Sequence, residues 1–302
     1  MKKIFEGKIS WIDIVSPDKE DLDYLKNNFH LHPLIIEELK NTSYRTKAEV
    51  YDDYVFLVLH LPSWNLEEKN SYPWEIDFIL KKDAIITVCY KENAEIKQEL
   101  MEKIYNKEFE SLYLNDSVKL FHFIIENFLN FALRQISHIQ EKIDAVEKEI
   151  FRGKQEKIIP DIAFIKRDII NFRKIFQYLK ENLLSLERKS SSIFGEDKKV
   201  YFDDLVGESS KVENLINGFK DTIDALESTN NSLIEHKNNV LTKIYTVISF
   251  VTWPTLLIVS MYQMNTRFLP LTGLPYDFFI VIGLAFTPSV IFYLYMKAKK
   301  II

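Results

Sequence analysis

Asn239, Thr242, Thr246, Ser249, Trp253, Leu256, Ser260 and Gln263 recur at alternating steps of three and four, so an α-helix presents them as one stripe. Much of that helix falls in residues 244–264, a run without a single charged residue. Hydroxyls and amides inside such a run avoid lipid and face either a partner helix or water. The stripe is polar at its first end, apolar at Trp253 and Leu256, and polar again at Ser260 and Gln263, with Asn265 just beyond. A lone Ser or Thr serves as a small packing contact between helices. A whole polar stripe ending in the amides of Gln263 and Asn265 is better explained by a central pore in a symmetric ring.

Catalytic chemistry has less behind it. The histidines at 30, 32, 60, 122, 138 and 236 form no His-x-x-x-His pair, and neither a glycine-rich phosphate loop nor a Gly-x-Ser-x-Gly turn occurs. His32 beside Pro33 reads as a turn or capping residue. The expectation is a protein that is not an enzyme. The one cysteine, Cys89, rules out an intramolecular disulfide and reads as a buried residue of a strand-like run at 85–89.

Two apolar spans must position the stripe. Residues 244–264 and 278–296 are both uncharged, and each approaches or exceeds the roughly 20 residues of a membrane-crossing helix. Lys237 and Lys243 precede the first span, Lys297, Lys299 and Lys300 follow the second, and the loop between offers only Arg267 and Asp277. The positive-inside rule then places both chain ends in the cytoplasm and the loop outside, at an inner or plasma membrane. The N-terminus has basic residues with no apolar run behind them, so no cleaved signal peptide is expected.

The rest of the 302-residue chain reads as soluble and helix-rich, with only 7 glycines. The net charge is −5, and the basic residues concentrate at the membrane flanks. An acidic body disfavours nucleic acid and suits cations. Residues 1–115 read as an α/β domain. Residues 10–15 alternate like a half-buried strand, Ser16 or Asp18 caps a helix, and runs at 54–59 and 76–80 are strands joined through the polar stretch 65–71. Residues 116–199 read as a helical hairpin with two apolar seams, Ala132 to Ile150 and Ile162 to Leu186, broken at Arg152-Gly153-Lys154. Residues 200–264 read as one helix continuing into the membrane, with its seam on Val212, Ile216, Phe219, Ile223, Leu226, Asn230, Leu233, Lys237, Val240 and Ile244. A helix that long cannot bury its seam in one small domain and needs partners, the simplest being copies of itself. A loop at 265–277, the second span at 278–296 and a basic tail at 297–302 complete the chain.

Several motifs along the chain resemble the CorA family of magnesium transporters. Tyr262-Gln263-Met264-Asn265, followed by Phe268-Leu269-Pro270, resembles the family's Tyr-Gly-Met-Asn and the Met-Pro loop after it. Asn239, Lys243, Thr246 and Pro254 match the upstream pattern, and Tyr201-Phe202-Asp203-Asp204 matches Tyr-Phe-x-Asp at the start of the long helix. Trp11-Ile12-Asp13, Leu31-His32-Pro33-Leu34 with Glu37-Glu38, Arg45-x-Lys47-x-Glu49-x-Tyr51 and Ile165-Lys166-Arg167 follow in the family's order. The departures are Gln263 and Ser260 for glycines, Thr266 and Arg267 after the asparagine, Leu271 after the proline, and Trp253 at the family's narrow gate.

The resemblance implies an α/β cytoplasmic domain, a long stalk helix and two C-terminal transmembrane helices in a funnel-shaped homopentamer. Its partners are then other copies of the chain, divalent cations and the bilayer. No tightly bound cofactor is expected; magnesium, with cobalt as a further ion, is transported and also regulates. Magnesium sheds its water reluctantly, so a ring of Asn265 amides would hold the hydrated ion without stripping it, with Gln263 as a second ring. The other role open to Asn265 is to cap the helix. Trp253 and Leu256 would form an apolar constriction that blocks ions by dewetting, or Trp253 packs on the second span. Asp204, with Asp203 beside it, is the family-matched half of a cytoplasmic divalent-cation sensor, with Glu67 or Glu68 as the suggested partner acid. A solvated acidic face is the plainer role for all four. Zinc transport of the ZntB type, and a non-conducting membrane-anchored sensor or scaffold, stay open as alternatives.

Overall fold

The computed structural model describes residues 2–6, 8–43, 45–65, 70–91, 94–104, 113–267 and 269–299. It divides into two compact units, Met1–Glu227 and Ser228–Ile302.

The first unit is built on a six-stranded sheet in the order β1-β2-β6-β5-β4-β3. The strands are β1 (Lys2–Glu6), β2 (Ser10–Val15), β3 (Lys47–Val50), β4 (Tyr54–Asn65), β5 (Asn70–Lys81) and β6 (Ala84–Cys89). Only β2 and β6 pair in parallel; the other neighbours are antiparallel. β2 departs from the expected half-buried alternation, because Trp11, Ile12, Asp13 and Ile14 are all buried. As an inner strand it has both faces covered, and Asp13 is tolerated there because it is paired on both oxygens. Thr87 Oγ1 donates to one at 2.7 Å, and Lys97 Nζ lies 2.6 Å from the other. The two strands run longer than expected and take in the ends of the polar stretch, at Asn65 and at Asn70 and Ser71: β4 and β5 are paired from Tyr54↔Lys81 to Asn65↔Asn70. Cross-strand pairing holds polar residues in extended form where sequence composition alone suggests a loop.

Helices α1 (Lys19–Phe29) and α2 (Pro33–Glu38) lie on one sheet face. Leu22, Leu25, Ile35 and Leu39 form one core there with Ile14, Phe56, Val58, Ile79 and Val88. Asp18 caps α1 through a reciprocal pair with Asp21, and His32 Nδ1 accepts from the Leu34 N–H at the start of α2. Both are the capping roles expected of them. Helix α3 (Ala94–Ile104) follows β6. Helix α4 (Ser117–Phe151) covers the other sheet face. Phe78 of β5 meets Phe121 and Phe128 edge-on at 5.5 and 6.2 Å between ring centroids.

Gly153, at φ +85°, turns the chain into α5 (Ile159–Lys189), whose first turn carries Pro160. Every expected seam position of α4 and α5, from Ala132 to Ile150 and from Ile162 to Leu186, is buried. The short α6 (Ser191–Phe194), Gly195 at φ +94° and a 3-10 turn lead to α7 (Lys199–Tyr262), one continuous helix of 64 residues. At 1.5 Å per residue it is about 96 Å long. Its seam is buried at Val212, Ile216, Phe219 and Ile223, whereas Val240 and Ile244 are exposed at 43% and 49%. Ion pairs from α5 fix the buried part: Lys166 Nζ lies 2.7 Å from Asp224 and 2.6 Å from Glu227, and Lys180 Nζ lies 2.7 Å from Glu213. Asp224 first and Glu227 second raise the Lys166 pKa above its ordinary value.

The second unit holds the end of α7 and α8 (Asp277–Ala298). Both helices are long and apolar enough to cross a membrane.

Candidate functional site

In the second unit α7 packs on α8 along one side and leaves most of the stripe uncovered. One side packs on α8: Thr255 Oγ1 donates to the Ala285 carbonyl at 3.0 Å and pairs with Ser289 Oγ at 2.7 Å, while Phe250 stacks on Phe292 at 5.7 Å. With 3.6 residues per turn, Thr255 points about 200° away from Trp253. The middle of the stripe, at Thr246 and Trp253, faces away from Thr255, and Leu256 and Phe250 mark where its edges meet α8. Asn239, Thr242, Thr246, Ser249, Trp253, Leu256, Ser260 and Gln263 are all exposed in the single chain. Trp253 is 66% exposed, so the packing on α8 that was one role open to it is made by Phe250 and Thr255. Leu256 borders the groove between the two helices, beside Thr252 and Val290. The Thr246 hydroxyl donates back to the Thr242 carbonyl at 2.8 Å, which satisfies its proton and leaves lone pairs on the exposed face.

The helix stops at Tyr262, two residues before the expected end, and Gln263 and Met264 enter a turn. Gln263 N–H reaches the Val259 and Ser260 carbonyls, and Met264 N–H reaches Met261. Backbone groups therefore close the helix, and the exposed Asn265 amide has no hydrogen-bond partner among the described residues. Tyr262 Oη donates to the Pro270 carbonyl at 2.9 Å and ties the loop to the helix end. Asp277, the first residue of α8, ties the far side of the loop, accepting from Gly273 N–H at 3.2 Å and Phe278 N–H at 2.7 Å. Arg267 is exposed in the loop.

In the first unit, Asp203 and Asp204 are exposed on the opening turns of α7. Asp204 Oδ2 lies 2.7 Å from His122 Nε2, a residue of α4. The other ring nitrogen of His122 lies 3.9 Å from Glu126, and Tyr201 meets the ring edge-on at 5.6 Å. Glu67 and Glu68 lie outside the described residues. Among the described residues no group of three or more His, Cys, Asp or Glu side chains converges as a metal site. Carboxylate oxygens suit a hard divalent cation, and the described residues bring too few of them together around Asp204 to hold it. The pairing of His122 with Asp204 escaped the sequence reading, because 82 residues separate them and only the packing of α4 against α7 joins them.

A buried acidic pair sits on the α1–α2 side of β5. Both Glu75 oxygens accept from the Ser43 N–H, at 2.7 and 2.9 Å. His60 Nε2 lies 3.1 Å from the Ser43 carbonyl. Asp77 accepts from Tyr90 Oη at 2.9 Å. Burial, followed by the nearby Glu75 charge, pushes the Asp77 carboxyl well above the usual carboxylate range.

The chain matches the family model described as CorA-like Mg2+ transporter protein over residues 6–299. The cobalt/magnesium transport protein CorA of Thermotoga maritima is 24% identical over 295 residues, covering 96% of this chain and 83% of that protein. The counterpart in Methanocaldococcus jannaschii is 19% identical, covering 94% and 89%. Among solved structures, the complete CorA magnesium transporter from Methanocaldococcus jannaschii superposes with a TM-score of 0.82 at 17% identity, over 98% of this chain and 93% of that one. The full-length CmaX protein gives 0.74 at 13% identity, over 99% and 90%. The ZntB cytoplasmic domain from Vibrio parahaemolyticus gives 0.61 at 14% identity, over 76% and 90%. The complete CorA structure thus shares this fold over nearly the whole chain, and with the family match over residues 6–299 this chain belongs to the CorA-like Mg2+ transporter family.

Proposed function

We propose that the chain assembles as a homopentamer that passes divalent cations, magnesium first and cobalt as a second ion, across the cell membrane. One observation carries this reading: the polar stripe of α7 is exposed, and its middle lies opposite the Thr255 clasp on α8. Five such stripes around an axis would line a path with Asn239, Thr242, Thr246 and Ser249 toward one end, Trp253 and Leu256 as the apolar constriction, and Ser260, Gln263 and Asn265 toward the other. Neutral amide oxygens at the Asn265 mouth would accept from the waters of a hydrated ion and release it again. The lysines flanking both spans support cytoplasmic chain ends. No covalent step is required of any residue.

Asp204 and Asp203, with Glu67 or Glu68 of a neighbouring copy, are the proposed regulatory carboxylates. A cation bridging them would hold the ring closed, and its loss would leave like charges facing each other.

Purified protein in liposomes loaded with a magnesium dye tests the reading. Wild type should take up magnesium and Asn265→Ala should lose nearly all uptake while keeping its assembly size. Equal uptake in the two proteins would remove Asn265 from the ion path. No uptake by wild type would favour a non-conducting divalent-cation sensor, the reading to which the bulky exposed Trp253 ring on the stripe lends itself.

A further inference from the structure

We infer that His122 competes with divalent cations for Asp204 and so sets the concentration at which the regulatory site fills; this rests on the reading of Asp204 as a cation ligand. The Asp204 side chain is 54% exposed and the His122 side chain 15%, with 2.7 Å between Nε2 and Oδ2. The cation must therefore take a carboxylate that already accepts a charge-assisted hydrogen bond from its own chain.

The packing beneath makes this contact reproducible rather than incidental. Phe202 is buried against Phe121, the residue before His122, with ring centroids 6.1 Å apart. That aromatic contact fixes the register of α7 on α4 and brings Asp204, two residues further on, over the imidazole. Tyr201 holds the ring from the side, and Glu126 lies near its far nitrogen. The ring stays in place when Asp204 leaves, ready to take the carboxylate back. Magnesium accepts only oxygen from protein here and prefers to keep its waters, so it gains nothing from the imidazole and pays for displacing it. His122 is thus a positioning residue that raises the threshold of the sensor without being a ligand.

The test is limited proteolysis of the full detergent-solubilised protein across a magnesium titration. His122→Phe keeps a ring beside Tyr201 and removes the donor; His122→Leu, which also lacks a donor, serves if the first variant lacks a normal magnesium-free thermal transition. The midpoint of magnesium protection should fall about threefold to tenfold in these variants, the range set by a half-exposed hydrogen bond to a charge. Asp204→Ala should lose protection with or without His122. A wild-type midpoint in the His122 variants, with protection lost in Asp204→Ala, overturns the competition and leaves the sensor standing. Undiminished protection in Asp204→Ala overturns the sensor assignment and the competition together.

Discussion

Asp77 is a carboxyl group with only one oxygen satisfied. Tyr90 donates to Oδ2, Oδ1 is buried without a partner among the described residues, and Glu75 sits two residues away on the same strand face. Burial first and Glu75 second raise its pKa in the folded protein. The folded state therefore binds a proton that the unfolded chain releases above about pH 4. The stability linked to this group is complete below that unfolded value and is lost as pH rises toward the folded one. Asp77→Asn keeps the shape and removes the ionisation. Across pH 4 to 8 its melting temperature should fall less than that of wild type, with the gap between the curves widening as pH rises. Parallel curves would show that Asp77 ionises no more reluctantly than in the unfolded chain. No sequence pattern announced this group, since an acid in an apolar strand reads equally well as a solvent-facing position. Cys89, His32 and Asp18 were legible because each sits in a local pattern that fixes its role within a few residues.

The long helices were readable from spacing alone, because an apolar seam on a helix repeats over many turns. β4 and β5 were read too short, because their ends are held by each other and not by their composition. The side of α7 that meets α8 was equally illegible: Thr255 looks like any other hydroxyl in an apolar run until Ala285 and Ser289 stand opposite. This polar clasp is the main directional contact found between the membrane helices, where apolar side chains gain little from exchanging lipid for each other. Thr255→Val should lower the stability of the solubilised protein by about 0.6 kcal/mol, the average for interhelical hydrogen bonds in membranes, and by no more than about 1.7 kcal/mol. Thr255→Ser should restore it. If Val and Ser variants melt together, the clasp contributes nothing and apolar packing at Phe250 and Phe292 holds the hairpin.

At the scale of the whole molecule, one chain leaves two faces of α7 without cover. The seam is buried through Ile223 and exposed at Val240 and Ile244, and the polar stripe is exposed along its length. Exposed apolar seam residues in a membrane-proximal helix call for neighbouring helices, and exposed hydroxyls within an apolar span call for water. A closed ring of copies meets both needs, since each α7 then has a neighbour on its seam and an axis on its stripe. The family resemblance was legible because its motifs are spread along the chain. The proposed path would lie between copies, so neither the sequence nor the geometry of one chain displays it. Native mass measurement of the detergent-solubilised complex tests this most directly: the mass should equal five chains of 35.8 kDa each, and a monomer or dimer under conditions that preserve the fold would contradict the pore.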